Sequence, residues 1–190
     1  MSAVDSELHG ILDFLRHAEQ LKNTLRNAFT SEGRHESTAE HTWRLCLMVL
    51  VFADRFEAID TLKLLKMCIL HDLGEAISGD IAAVDQVPGE DKNSQEREDL
   101  GILIAPLPNK LQTEFLALWD EYTEGTSPEA SLAKAFDKIE TILQHTQGKN
   151  PENFDYGFNL TYGKGYTDAD PLTASLRAIV DVDTRRCMEN

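Results

Sequence analysis

The apolar run Leu62-Lys63-Leu64-Leu65-Lys66-Met67-Cys68-Ile69-Leu70 ends abruptly in His71-Asp72-Leu73-Gly74-Glu75. The run reads as a helix buried on most faces. Bringing a histidine and two carboxylates to the end of such a helix is costly unless something compensates their charge. A bound metal ion is one such compensation. Within a helix His71 and Asp72 would point about 100° apart, but at a fraying last turn they can converge on one ion. Gly74 is expected to end the helix in a left-handed conformation. The plain alternative is a helix end whose polar residues meet water.

The rest of the chain supplies the setting. Its 190 residues suffice for one domain with a proper core. No apolar run approaches the ~20 residues that span a bilayer. The N-terminus lacks a basic segment of the secretory type, so a cytoplasmic protein is expected. Cys46, Cys68 and Cys187 have no metal-ligand spacing and read as reduced thiols. With 18 basic and 33 acidic residues the net charge is −15. This argues against nucleic acid as a partner. A small phosphate can still bind where a metal and an arginine reverse the local field.

Helical period and caps divide the chain. Ser6 is expected to cap a helix running to about Phe29, with Leu8, Ile11, Leu12, Leu15, Ala18, Leu21 and Leu25 as its stripe. Arg26 lies near its far end. Ser37-Thr38-Ala39-Glu40 reads as a capping box opening a helix that carries His41 and is apolar nearly all round. The next helix starts near Asp60 and ends at His71-Asp72. Joined by a short turn, the two should pack antiparallel and bring His41 beside His71. Helices are also expected from about Lys92 to Ile104, from Asn109 to about Thr123 and from Ser127-Pro128 to about Gln147. The last of these bears Asp137, a carboxylate edging into an apolar face. The segment from Lys149 to Asp168 reads as an irregular excursion rimming the site. A final helix starts at Asp170-Pro171, with Leu172, Leu176, Ile179 and Val180 inward. No strand pattern stands out, and the chain reads as an all-α single domain.

His41, His71, Asp72 and Asp137 form a mixed nitrogen and oxygen set. Such a set suits one divalent transition ion, Mn²⁺, Co²⁺, Fe²⁺, Ni²⁺ or Zn²⁺, rather than Ca²⁺ or Mg²⁺. Ligands on only part of the sphere leave room for water and a phosphate oxygen, as catalytic sites do.

In this order the four residues match the H…HD…D signature of the HD-domain metal-dependent phosphohydrolases. The flanks Glu36-Ser37-Thr38-Ala39-Glu40-His41-Thr42-Trp43, His71-Asp72-Leu73-Gly74-Glu75, Gly79-Asp80-Ile81 and Ala133-Lys134-Ala135-Phe136-Asp137-Lys138 resemble the 5'-deoxyribonucleotidase branch. The likeness covers roughly Leu21 to Thr146. It implies one helical-bundle domain over 1–190, with a metal-site core at about 21–146 and a C-terminal segment and helix at 147–190. It implies a single divalent ion on His41, His71, Asp72 and Asp137, catalysis by Glu75 and Asp80, a nucleotide substrate and a homodimer. A first-helix arginine that orients the phosphate maps to Arg26, with Arg34 as a possible helper. Asn27 stands where this branch carries a tryptophan. Substrate contacts are expected from Arg26, Asn27, Asp80, Ile81, Ala82 and Ala83, and residues 87–93 are a candidate lid. Within the superfamily the alternative substrates are a nucleoside triphosphate, a cyclic dinucleotide or an alarmone. Outside catalysis, the alternative is a metal-binding helical module.

Overall fold

Side-chain caps set most of the boundaries in the computed structural model, which describes residues 2–81 and 92–189. Helix α1 (Ala3–Ala18) is opened by Ser2 rather than Ser6, through a reciprocal box with Asp5. It stops at Ala18, and a 3₁₀ turn (Glu19–Lys22) follows. The expected continuation to Phe29 is replaced by strand β1 (Leu25–Phe29), antiparallel to β2 (His35–Ser37). Long-range bonds at Thr24 override the helical pattern there. Its hydroxyl donates to the Glu75 carbonyl at 3.3 Å, and its own carbonyl accepts from the Thr38 amide at 2.9 Å. Arg26 therefore sits on a hairpin, not on a helix, and Leu25 of the supposed stripe is 56% exposed. On α1 the inward face is Ile11, Phe14 and Ala18, while Leu8, Leu12 and Leu15 face out.

Helix α2 (Thr38–Phe52) begins with the expected box, Ser37 with Glu40. It buries Thr38, His41, Leu45 and Val49. Its apolar character is not matched by all-round burial, because Trp43, Leu47, Leu50 and Val51 are exposed. Helix α3 (Thr61–Leu70), capped by Asp60, packs on α2. The centre of the bundle is α7 (Pro128–Gln147), which contacts α2, α3, α6 (Asn109–Glu124), α8 (Lys164–Thr167) and α9 (Pro171–Glu189). Ser127 caps it, with Pro128 in its first turn. Leu45, Leu64, Met67, Cys68 and Phe136 fill the space between α2, α3 and α7. Phe14, Leu70, Leu100, Leu103 and Trp119 join α1 and α6 to α5 (Lys92–Ile104).

The excursion after α7 holds a 3₁₀ turn (Tyr156–Leu160) and α8. Helix α9 faces it with Thr173, Arg177, Val180, Asp181 and Thr184, a more polar face than the sequence suggested, and Ile179 points out. Ala82, Ala83 and the lid candidate up to residue 91 lie outside the described residues, whereas Lys92 and Asn93 open α5. No described helix is long and apolar enough to cross a membrane.

Gly74 does not take the expected left-handed form. Its φ of −61° and ψ of −27° are right-handed, and it heads the short helix α4 (Glu75–Ser78). Glycine is needed there for approach. A Cβ would lie 2.8 Å from the Glu96 carbonyl oxygen and 3.3 Å from the Leu100 amide nitrogen on α5. Gly101, the residue after Leu100 on α5, has open space around its missing Cβ. Gly74→Ala should therefore destabilise the protein by roughly 1–3 kcal/mol, as overpacking does. Gly101→Ala should instead stabilise it by about 0.5–1 kcal/mol through helix propensity. Urea unfolding of the two variants checks both signs.

Candidate metal centre and its cavity

The end of α3 turns at His71, whose carbonyl accepts from Trp119 Nε1 at 3.1 Å. This anchors the His-Asp pair to the core. His71 Nδ1 lies 2.8 Å from the Cys68 carbonyl, which can only accept, so Nδ1 carries the proton and the Nε2 lone pair is bare. His41, fully buried in the first turns of α2, is fixed from α7: its Nδ1 makes a short hydrogen bond to Glu140 Oε2. Glu140 Oε1 in turn accepts from Arg44 Nε at 2.6 Å. Both imidazoles thus turn Nε2 inward, and both Nε2 atoms are buried without a hydrogen-bond partner.

The carboxylates meet them there. Asp137 Oδ2 is held by Lys138 Nζ at 2.8 Å and by the Tyr122 hydroxyl at 3.2 Å. Its Oδ1 is left 3.3 Å from His41 Nε2 and 4.0 Å from His71 Nε2. Asp72 Oδ2 lies 3.0 Å from His71 Nε2 and 3.8 Å from His41 Nε2. One donor atom each from His41, His71 and Asp137 falls within 4.8 Å of the others, and Asp72 sits alongside. Two bare, buried nitrogen lone pairs facing carboxylate oxygens are a donor set that fits a divalent cation. The local field agrees. Burial and Arg26 act to lower the His41 pKa, yet Glu140 and Asp137 outweigh them and push it up to about 9, so that a proton takes the place on Nε2 that a cation would otherwise hold. For Asp72, burial acts upward, but His71 and His41 outweigh it and hold the carboxyl below its ordinary range. A second buried group, Glu36 with His41 and Glu140, also has convergent donors. It is already balanced by two guanidinium groups: Arg26 Nε at 3.5 Å from Glu36, and Arg44 on Glu140.

Around this cluster the remaining sequence candidates divide. Glu75 is 5% exposed, and its Oε2 accepts from Thr38 Oγ1 at 3.0 Å. Burial, then Asp72 and Asp80, push its pKa up to about 10. Asp80 is also raised, chiefly by burial. Arg26 reaches the cluster from β1, with Nη1 3.4 Å from Asp72 Oδ2 and Nη2 donating to Thr141 Oγ1 at 3.1 Å. The His35 ring, at the surface, holds the Arg26 carbonyl through Nδ1 at 2.9 Å. Arg34 is not part of the site: it is exposed and pairs with Glu40. A cavity of about 310 Å³ opens on Arg26, Asn27, Asp72, Glu75, Asp80, Ile81 and Asp137. Its far wall comes from the excursion, through Asn153, Phe154, Asp155, Phe158 and Tyr162.

Sequence reading missed Glu36, Thr38, Tyr122, Lys138, Glu140 and Thr141. Only the α7 residues carried a signal, since Asp137, Glu140, Thr141 and Gln144 repeat at three- and four-residue spacing on a buried helix.

Comparison with known proteins agrees with this picture. Residues 18–176 match the HD domain family. The 5'-deoxynucleotidase HDDC2 of Bos taurus is 37% identical over 145 residues, 75% of this chain and 70% of that protein. The HDDC2 5'-deoxynucleotidase of Dictyostelium discoideum is 29% identical over 92% of this chain and 98% of its own length. Among solved structures, one described as a predicted metal-dependent phosphohydrolase from Magnetospirillum magnetotacticum superposes with a TM-score of 0.80 at 27% identity. That match covers 97% of this chain and 96% of the other.

If Glu140 orients His41 toward a cation, Glu140→Gln should weaken divalent-metal affinity about 10- to 100-fold, the usual cost of removing such a supporting carboxylate. Calorimetric titration of metal into the stripped protein measures this, and circular dichroism checks that the variant stays folded.

Proposed function

This chain belongs to the HD-domain family, and we propose that it is a metal-dependent phosphomonoesterase that hydrolyses deoxynucleoside 5'-monophosphates to deoxynucleosides and phosphate. The observation that carries the reading is the pair of buried imidazole nitrogens without hydrogen-bond partners, facing Asp137 and Asp72, the two carboxylates that line an open cavity. Its similarity to 5'-deoxynucleotidases from animals to yeasts selects the substrate class over triphosphates and cyclic dinucleotides. Glu75 and Asp80 beside the four ligands favour turnover over a purely structural metal.

In this reading His41, His71, Asp72 and Asp137 hold one divalent transition ion. Bound there, such an ion supplies Lewis-acid stabilisation of phosphoryl charge and acidifies water. The chain's own groups do the rest. Arg26, fixed by Thr141 and Asp72, presents its guanidinium to the phosphoryl oxygens. Lys138 and Tyr122 keep Asp137 from rotating. Glu75, held by Thr38 and flanked by Asp80, moves a proton between the attacking water and the departing nucleoside alkoxide. Asp80 and Ile81, which line the cavity, border the substrate. Asn27 lines the cavity next to Arg26.

Assembly and location complete the proposal. From His41 to Phe52 helix α2 carries no carboxylate, in a chain of net charge −15. Its exposed Trp43, Leu47, Leu50 and Val51 thus offer two copies an approach free of like-charge repulsion, and we assign this face to a homodimer. Three unpaired cysteines suit a reducing cytoplasm.

Phosphate release from a panel of dNMPs, NMPs and NTPs tests the reaction. Activity should centre on the dNMPs and vanish on chelation. Glu75→Gln should lower kcat by about 10²- to 10⁴-fold with metal content retained, as loss of a proton-transfer group does. Light scattering should give twice the 21.3 kDa chain mass, and Trp43→Glu should return it to one chain.

A further inference from the structure

The excursion of residues 149–168 forms a wall that nothing in the hydrolytic apparatus uses. One face of α7 runs along the cavity, presenting Asp137 and Lys138, then Thr141, then His145. Opposite it stands a row of aromatic rings. Lys138 Nζ lies 4.9 Å from the Tyr162 ring centre. Phe158 lies tilted against Tyr162, with centroids 4.9 Å apart and 32° between the planes. Phe154 meets His145 edge to face at 4.9 Å. Seven residues separate Lys138 from His145, roughly 10 Å along the helix axis. The wall therefore extends roughly 10 Å away from the His-Asp end of the cavity.

This wall is built rather than incidental. A segment so poor in regular structure has carbonyls that need donors. Arg177, 2% exposed on α9, donates to the Asn159 and Tyr162 carbonyls, both at 2.5 Å. Its Nε is held by Asp181 Oδ1 at 2.7 Å. Buried Asn159 accepts from His145 Nδ1 at 2.8 Å, and Asn150 Nδ2 donates to the Tyr156 hydroxyl at 2.8 Å. A buried guanidinium is expensive unless it is fully engaged. Here it fixes the backbone that bears the rings.

We propose that Phe154 and Phe158, with Asn153 and Asp155 at their edge, form the nucleobase subsite of this enzyme. The inference rests on the phosphate lying at the His-Asp cluster, as argued above. The ligand is the purine or pyrimidine ring of a deoxynucleoside 5'-monophosphate. Ring faces accept every base, so the subsite rewards the presence of a base more than its identity. The amide of Asn153 both donates and accepts, which suits that tolerance.

The test compares dAMP, dTMP and 2-deoxyribose 5-phosphate with the metal-loaded protein, for wild type, Phe154→Leu and Phe158→Ala. In the wild type kcat/KM should favour both nucleotides over the abasic sugar phosphate by about 10- to 100-fold, the range expected for stacking one base. In either variant that ratio should collapse toward one, mainly through KM. Equal preference in the wild type, or a loss shared equally by all three substrates in both variants, overturns the subsite. Calorimetric titration with dAMP reads the same subsite without turnover. Binding that weakens in the variants supports it even if no phosphate is released, an outcome that would instead overturn the reaction. Binding unchanged by both substitutions overturns the subsite.

Discussion

Two imidazoles set the terms for this protein. Each spends Nδ1 on a fixed acceptor, the Cys68 carbonyl for His71 and the Glu140 carboxylate for His41. Each leaves Nε2 buried and bare. Lone pairs so placed are costly unless a shared positive charge answers them. Much of the surroundings follows from that need. Asp137 is clamped at one oxygen so that the other faces the histidines. Arg44 balances the carboxylate that orients His41. Arg26 is drawn from a hairpin into a field made by Asp72, Glu140 and Asp137, which keeps it charged despite its burial.

The supporting shell extends through α7. Asp137, Glu140 and Thr141 lie within one helical turn and serve three different partners: the cluster itself, His41 and Arg26. The hairpin, α2 and α3 are each tied to that helix by one of these contacts or by packing. Burial of α7 among apolar side chains is what makes the shell rigid, since a carboxylate with one geometry available makes a better template than one free to rotate.

Legibility in the sequence varied with the kind of signal. Most caps were readable because their chemistry is local: Ser37 with Glu40, Asp60, and Ser127 with Pro128 open helices as their residues dictate, whereas Ser2 rather than Ser6 opens the first. The antiparallel pairing of His41 with His71 followed from two helices and a short turn. The hairpin was not readable, since Leu21 and Leu25 continue a helical spacing that long-range bonds at Thr24 cancel. Gly74 was misread, since α3 stops at Leu70 and the glycine heads α4, its lack of a side chain serving the approach of α5 and not a left-handed helix end. The exposed stripe of α2 and the polar inner face of α9 show the limit of apolar pattern, which cannot tell a core from a contact surface. Arg177 was invisible because its importance lies in a partner 18 residues away, and Glu140, whose spacing on α7 carried a signal, gave no sign of its role because His41 is 99 residues away.

The unbroken run of α7 has an evolutionary corollary. Inserting or deleting a single residue between Asp137 and His145 would swing everything downstream through about 100°. Such a change would put the hydrolytic end and the aromatic end out of phase. Length variation is thereby barred from this helix and diverted to the connections around it. The irregular wall tethered by Arg177 tolerates a shift in its own connections only so far as its rings keep their register with α7.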